Sequence, residues 1–245
     1  MVSEQERRVH QLLDNPPPLH MNERGELVNF QIDPKLVPHL RDAVFPGART
    51  METGSGVSTI VLLALGARHT SISPDGGEAE RIRTYCVDHG ISVDEYTPIV
   101  ARSEDVLPTL GAADELDLAI VDGNHAFPSP FIDWFYMVRL LKPFGTVVVD
   151  DVELWTGSVL ADFLDAEESI WIRLERNPRF AVYRLIGDKR EALERSWVDQ
   201  PHVFKNSDLA LTGHVRPTLS FRVPGQPATV RLRRVVRRTW WKVRN

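Results

Sequence analysis

Two short apolar runs in this chain end directly in carboxylates, and that pairing limits the fold more than any other feature. Leu118-Ala119-Ile120-Val121 leads into Asp122-Gly123-Asn124-His125, and Thr146-Val147-Val148-Val149 leads into Asp150-Asp151. Runs of this length, rich in β-branched residues and without polar alternation, read as strands covered on both faces. In an open parallel sheet, groups just past the strand C-termini line the crevice where ligands bind. Three carboxylates and an imidazole are therefore expected at one mouth. Crowded carboxylates repel and are costly to bury. A divalent cation relieves that cost, and an all-oxygen set at Asp122, Asp150 and Asp151 favours magnesium, manganese or calcium over zinc.

Around these runs, strand-like and helix-like segments alternate. Strands are expected at Thr50–Glu52, at His69–Ser73, within 91–100, at Leu116–Val121 and at Thr146–Val149. Helices are expected over Val57–Leu65, Glu78–His89, Glu104–Leu110 and Pro130–Leu141, with another starting at Ser158–Phe163. Pro143-Phe144-Gly145 reads as a turn into the fifth strand. Two β-rich runs, Ile170–Leu174 and Phe180–Ile186, flank Arg176-Asn177-Pro178 as a hairpin. The rhythm predicts an α/β fold: a doubly wound, mostly parallel seven-stranded sheet with helices on both faces. Ahead of it, residues 3–13 read as a helix stopped by Pro16-Pro17-Pro18, and Asp33-Pro34 opens a helix over about 35–45. The chain divides into an N-terminal helix and proline-rich linker (1–24), a core domain (25–187) and a proline-interrupted extension (188–245).

Charge separates the extension from the core. Residues 209–245 carry nine Lys/Arg and no Asp/Glu, leaving 20 basic against 34 acidic residues in 1–208. An acidic body argues against a nucleic-acid substrate. The chain's end places Leu232, Val235, Val236, Trp240 and Val243 on one helical face with arginines opposite. That pattern suits peripheral contact with an anionic membrane, nucleic-acid binding by arginines and tryptophans, or a terminal helix that packs on the body or stays disordered. The lone cysteine, Cys86, excludes an intrachain disulfide and is expected to be packed. The N-terminus lacks an apolar signal core, so the expected location is cytoplasmic, with the inner membrane face as an extension of that reading.

Glu52-Thr53-Gly54-Ser55-Gly56-Val57-Ser58-Thr59 joins the first core strand to the first core helix. Its glycines allow a tight turn and close backbone approach, and a helix N-terminus favours anionic groups. A Walker A loop needs a Gly-Lys-Ser/Thr ending, and no lysine is present. A dinucleotide fingerprint needs a third glycine where Thr59 stands. An acidic residue two before Gly-x-Gly fits a third pattern, the cofactor loop of S-adenosylmethionine-dependent methyltransferases.

Met51–Thr59, Asp122-Gly-Asn-His125 and Asp150-Asp151 together resemble the class I methyltransferases. The likeness is greatest to the branch with Asp-Gly-x-His after the fourth strand, which includes metal-dependent O-methyltransferases of sugars and antibiotics and cephalosporin-hydroxylase-like proteins. The resemblance covers about residues 25–187. It implies that Glu52, Gly54, Ser55 and Gly56, with Ser58 and Thr59 nearby, hold S-adenosylmethionine, with Asp122 beside it. It places Ser103 and Glu104 near the adenine. The usual acidic ribose ligand is replaced by Ser73, and Asp75 is the substitute. It further implies Mg²⁺ at Asp122, Asp150 and Asp151, His125 as proton acceptor, and a hydroxyl of a small molecule or glycoside as methyl acceptor.

Other readings remain open on sequence alone. They are a non-catalytic binding module, a nucleotide-dependent oxidoreductase, and a methyltransferase that needs no metal. Asp133 is expected to be exposed or hydrogen-bonded, and Trp155 to pack in the core, with a wall of the acceptor pocket as its alternative role. The aromatic-rich helix at 131–136 is a candidate oligomer interface.

Overall fold

A computed structural model describes residues 4–22, 24–111 and 115–203. The basic amphipathic segment lies outside the described residues. The elements run in order α1 (Glu4–Asp14), β1 (His20–Met21), β2 (Leu27–Val28), α2 (Leu36–Ala43), β3 (Arg49–Thr53), α3 (Val57–Ala64), β4 (Arg68–Ser73), α4 (Gly76–Asp88) and β5 (Tyr96–Val100). There follow α5 (Ser103–Val106), β6 (Leu116–Val121), α6 (Ser129–Leu140), β7 (Leu141–Asp150), α7 (Trp155–Ala166), β8 (Trp171–Arg176), β9 (Phe180–Leu185) and α8 (Lys189–Glu194). Pro38 sits in the first turn of α2, where its missing N–H has no intrahelical acceptor to lose.

Seven strands form one sheet in the order β5-β4-β3-β6-β7-β9-β8. β3 through β7 pair in parallel, while β9 runs antiparallel to both β7 and β8. This is the expected doubly wound sheet, closed at one edge by the expected hairpin. β1 and β2 form a separate two-stranded hairpin that sequence reasoning did not anticipate.

Side chains alternate across the sheet as the strand period requires. Leu118 and Ile120 of β6 enter a core with α1 to α4, where Leu12, Leu40, Ile60 and Ile82 are buried. Ala119 and Val121 enter a second core with Met137, Val138, Leu160 and Leu164 of α6 and α7. All eight residues of α3 are buried, consistent with its lack of a polar face.

The expected turn at Pro143–Gly145 falls inside β7. The register passes from Leu116↔Leu141 to Leu118↔Thr146, so residues 142–145 bulge out of the ladder, and Phe144 adopts φ 64°. The Lys142 ammonium donates to Asp117 at 2.8 Å there. Past residue 188 the helix α8 follows, and Ala192 joins the second core. Among the described residues, no helix is long and apolar enough to cross a membrane.

Candidate functional site

The strand order reverses between β3 and β6, and this switch point opens the crevice that defines the site. Gly54 turns the chain out of β3 with φ +86°. A Cβ there would stand 2.2 Å from the Asp122 carbonyl oxygen, so glycine is required for both conformation and space. Its N–H donates to the Ile72 carbonyl at 2.8 Å, tying the turn to β4. The Gly56 N–H donates to the Thr59 Oγ1 at 2.9 Å as α3 begins.

Glu52 is fully buried beneath this turn and does not line the pocket. It accepts from Ser58 Oγ at 2.7 Å and from the Thr59 hydroxyl, and its other neighbour is His69 Nε2 at 3.0 Å. His69 Nδ1 in turn meets Thr50 Oγ1 at 2.8 Å. The buried carboxylate is thus satisfied by groups that lock the loop's shape. Of the expected loop residues, Gly54, Ser55, Gly56 and Ser58 face the pocket, while Thr59 stays behind with Glu52.

The pocket has a volume of about 680 Å³, within the usual range for small-molecule sites. Asp75 lines it, yet its carboxylate is engaged, accepting from the Gly77 N–H as the α4 cap and from Arg81 at 2.8 Å. Sequence reasoning missed Glu78, in the first turn of α4. Its carboxylate accepts from Ser55 Oγ and Ser73 Oγ, each at 2.7 Å, and meets His20 Nδ1 at 3.0 Å. Burial works to raise the Glu78 carboxyl, but these hydrogen bonds outweigh it and hold it below the usual value. Ser103 and Glu104 also line the pocket, with Glu104 paired to Arg102.

The opposite wall carries the acids. His125 Nε2 lies 3.0 Å from Asp151 Oδ2 and 3.9 Å from Asp122 Oδ1. Asp122, His125 and Asp151 offer ligand atoms all within 4.8 Å of one another. Asp150 lines the same pocket, but His125 completes the tight cluster in its place. Asp151, just past β7, has a left-handed backbone, φ 49°. Thr156 Oγ1 donates to the His125 carbonyl at 2.7 Å, binding the start of α7 to the loop after β6.

Each charge in this cluster shifts its neighbours. Burial, then the nearby carboxylates of Asp150, Glu52 and Asp151, push Asp122 well above the usual carboxylate range. Burial pushes Asp150 up to about 6. Its hydrogen bond with Asp151 raises His125 and correspondingly lowers Asp151. Carboxylates that resist ionising together, beside an imidazole, suit a site completed by a cation.

Two expectations about nearby residues fail. Asp133 is fully buried, and neither carboxylate oxygen completes a hydrogen bond. Burial pushes it up to about 6, against the pull of the Ser103 and Thr53 hydroxyls close by. Its Oδ2 lies 3.1 Å from where a Cβ on Gly123 would stand, so the side chain is packed under the loop after β6. Trp155 is 67% exposed rather than packed, and Phe127 beside it is 69% exposed. Their rings lie 6.2 Å apart, and Phe131 stands 5.9 Å from Phe127. Cys86, by contrast, is packed as expected, and burial pushes its thiol up to about 12.

Residues 51–152 match a family model described as a methyltransferase domain. Solved structures share the fold. The O-methyltransferase TomG from Streptomyces achromogenes, involved in tomaymycin synthesis and solved with SAM, is 19% identical, with 76% of this chain and 90% of that one covered and a TM-score of 0.51. A cofactor-bound protein from MTB is 16% identical over 76% and 91% of the two chains, with a TM-score of 0.52. A protein from Corynebacterium glutamicum is 14% identical over 76% and 90%, with a TM-score of 0.53. No curated protein sequence matches the chain significantly. Residues 51–152 thus match a methyltransferase domain, and the chain shares the fold of these solved structures.

Proposed function

We propose that the chain transfers a methyl group from S-adenosylmethionine to a hydroxyl of a small molecule or glycoside, at the cluster of Asp122, His125 and Asp151. One observation carries this reading: the glycine turn and the acid–imidazole cluster share a single pocket. S-adenosylmethionine supplies an activated methyl group when bound. The residues that would hold it are Gly54, Ser55, Gly56 and Ser58, with Asp75, Glu78, Ser103 and Asp122 around them.

The acceptor hydroxyl must lose its proton as it attacks, and the protein's task is to hold it in line and take that proton. His125 is the acceptor of the proton. Asp151 fixes its ring orientation and stabilises the imidazolium that forms. The exposed rings of Phe127 and Trp155, with half-buried Phe131 against Phe127, offer the acceptor an apolar surface near the loops that carry the cluster.

The donor set fits a divalent ion. Two carboxylates and an imidazole converge, and at least one carboxyl resists ionising without a counter-charge. Asp122, His125 and Asp151 would hold the ion, with Asp150 adjoining, and the ion would lower the pKa of an acceptor hydroxyl. An imidazole ligand moves the preference from magnesium toward manganese and its later neighbours. If His125 is occupied as a ligand, Asp150, which lines the same pocket, would receive the proton.

Thermal melting with S-adenosylhomocysteine and with NADH, each with and without Mg²⁺ or Mn²⁺, tests the reading. A ligand that binds only the folded state raises the midpoint. A rise with S-adenosylhomocysteine alone among the two nucleotides is expected. A rise only with NADH would replace this reading with an oxidoreductase.

A further inference from the structure

The methyltransferase-domain match begins at residue 51, yet part of the pocket is built by residues ahead of it. His20, Phe30, Gln31 and Ile32 line it, carried on a strap that leaves α1, forms the β1–β2 hairpin and returns to α2. The strap is fixed at both ends. Val9 and Leu12 of α1, and Leu36 and Leu40 of α2, are buried in the core that contains α3. It is also fixed in the middle. Arg81 Nε donates to the Leu19 carbonyl at 2.6 Å, and Glu78 meets His20 Nδ1 at 3.0 Å. Residues 78 and 81 share one face of α4, so two successive strap residues are bound to one helix stripe.

This anchoring sets the imidazole over the glycine turn. A Cβ built on Gly56 would stand 3.3 Å from His20 Nε2. The ring is backed by Phe30, 4.8 Å between centroids. Glu78 already has three polar neighbours, His20, Ser55 and Ser73. The group that this cluster offers toward Gly56 is therefore the Nε2 edge of His20.

We propose that His20 is a cofactor-binding residue supplied by the N-terminal strap, and that its Nε2 contacts the amino-acid end of S-adenosylmethionine. This rests on the function proposed above. The amino-acid end carries both an ammonium and a carboxylate, so an imidazole nitrogen has a partner there in either protonation state. The glycine turn leaves room for that end, and the N-terminus of α3 favours its carboxylate.

The test compares two ligands by titration calorimetry on the full chain. S-adenosylhomocysteine carries the amino-acid end, whereas 5′-methylthioadenosine has the same nucleoside without it. His20→Asn keeps an amide near the Nδ1 position for Glu78 but has nothing at Nε2. It is expected to weaken S-adenosylhomocysteine about tenfold, the value of one good polar contact, and to leave 5′-methylthioadenosine within about twofold. His20→Gln, whose amide reaches toward the Nε2 position, is expected to recover part of the loss. An unchanged melting midpoint without ligand shows that both variants are folded. Equal weakening of the two ligands, or weakening of neither, overturns the assignment. If wild type binds 5′-methylthioadenosine but gains nothing from the amino-acid end, His20 alone is misassigned. If it binds neither, the methyltransferase reading of the pocket falls as well.

Discussion

His125 Nε2 stands 3.0 Å from Asp151 Oδ2, a contact between the loop after β6 and the loop after β7 that joins the two acidic motifs. The contact stabilises the imidazolium, so the proton leaves His125 at a higher pH than from an ordinary imidazole. In metal-free protein, NMR titration is expected to place the His125 midpoint above the usual value and to bring it down in Asp151→Asn. An unchanged midpoint in that variant would remove Asp151 as the cause. With neutral His125 as the proposed base, His125→Ala is expected to lower kcat by about 10² to 10⁴, the range for a lost general base.

Asp122 and Asp150 are both held above the usual carboxylate range, which makes the metal-free cluster a source of strain at neutral pH. An ion bound only by the folded state adds about 2.7 kcal/mol of stability at a hundredfold excess over its Kd. Mn²⁺ is therefore expected to raise the melting midpoint at pH 7.5, and Asp122→Asn to abolish most of that rise. A rise that persists in Asp122→Asn would place the ion elsewhere.

Asp133 gives a separate pH signature. Its folded value near 6 exceeds the unfolded value of 3.8, so the folded state holds the proton more tightly. Stability from this group is present below about pH 4 and lost as pH rises through about 6. Asp133→Asn removes the buried charge, and is expected to raise stability by about 1–3 kcal/mol at pH 7.5 with little change at pH 4. Denaturant melts at the two pH values measure this, and equal effects at both would contradict a buried titrating carboxylate.

The sheet was legible in the sequence because its strands are apolar runs bounded by turns, and the acidic motifs announced themselves at strand ends. Residue pairs brought together by the fold were not. Nothing local links His20 to Glu78, 58 positions away, so the strap's part in the pocket stayed hidden. Glu52 matched the loop pattern, yet spacing alone gives no sign that His69 and two hydroxyls hold it beneath the turn. Asp133 was misread because a position within an aromatic-rich helix has no sequence mark for depth. Asp122, His125 and Asp151 offer ligand atoms within 4.8 Å of one another, while Asp150 lines the same pocket; strand-end spacing alone does not tell which of these side chains converge.

Trp155 and Phe127 leave large apolar faces exposed beside the acid–imidazole cluster. A contiguous exposed apolar patch marks an interaction site. Once an acceptor is identified, Trp155→Ala is expected to raise its KM about tenfold while changing kcat less than about twofold, because the ring binds the acceptor and touches no reacting atom. A fall in kcat at unchanged KM would instead assign Trp155 to positioning the loop after β6, through its neighbour Thr156.

Gly54 is the point where the cofactor turn and the chemical cluster are one structure. A methyl group there would meet the Asp122 carbonyl oxygen at 2.2 Å and the Asp122 carbonyl carbon at 3.2 Å, both backbone atoms that no rotamer change can move. The φ of +86° adds strain for any residue with a side chain. Gly54→Ala must therefore push the loop after β6 away from β3, carrying Asp122 and His125 with it. The expected cost is about 2–4 kcal/mol in denaturant stability, together with lost S-adenosylhomocysteine binding. Gly25, also at positive φ but with open space around it, is the control: Gly25→Ala is expected to cost about 1 kcal/mol and leave binding intact. If both variants behave alike, backbone strain alone explains Gly54; if only Gly54→Ala loses the ligand, the close approach to Asp122 couples the cofactor turn to the acid–imidazole cluster.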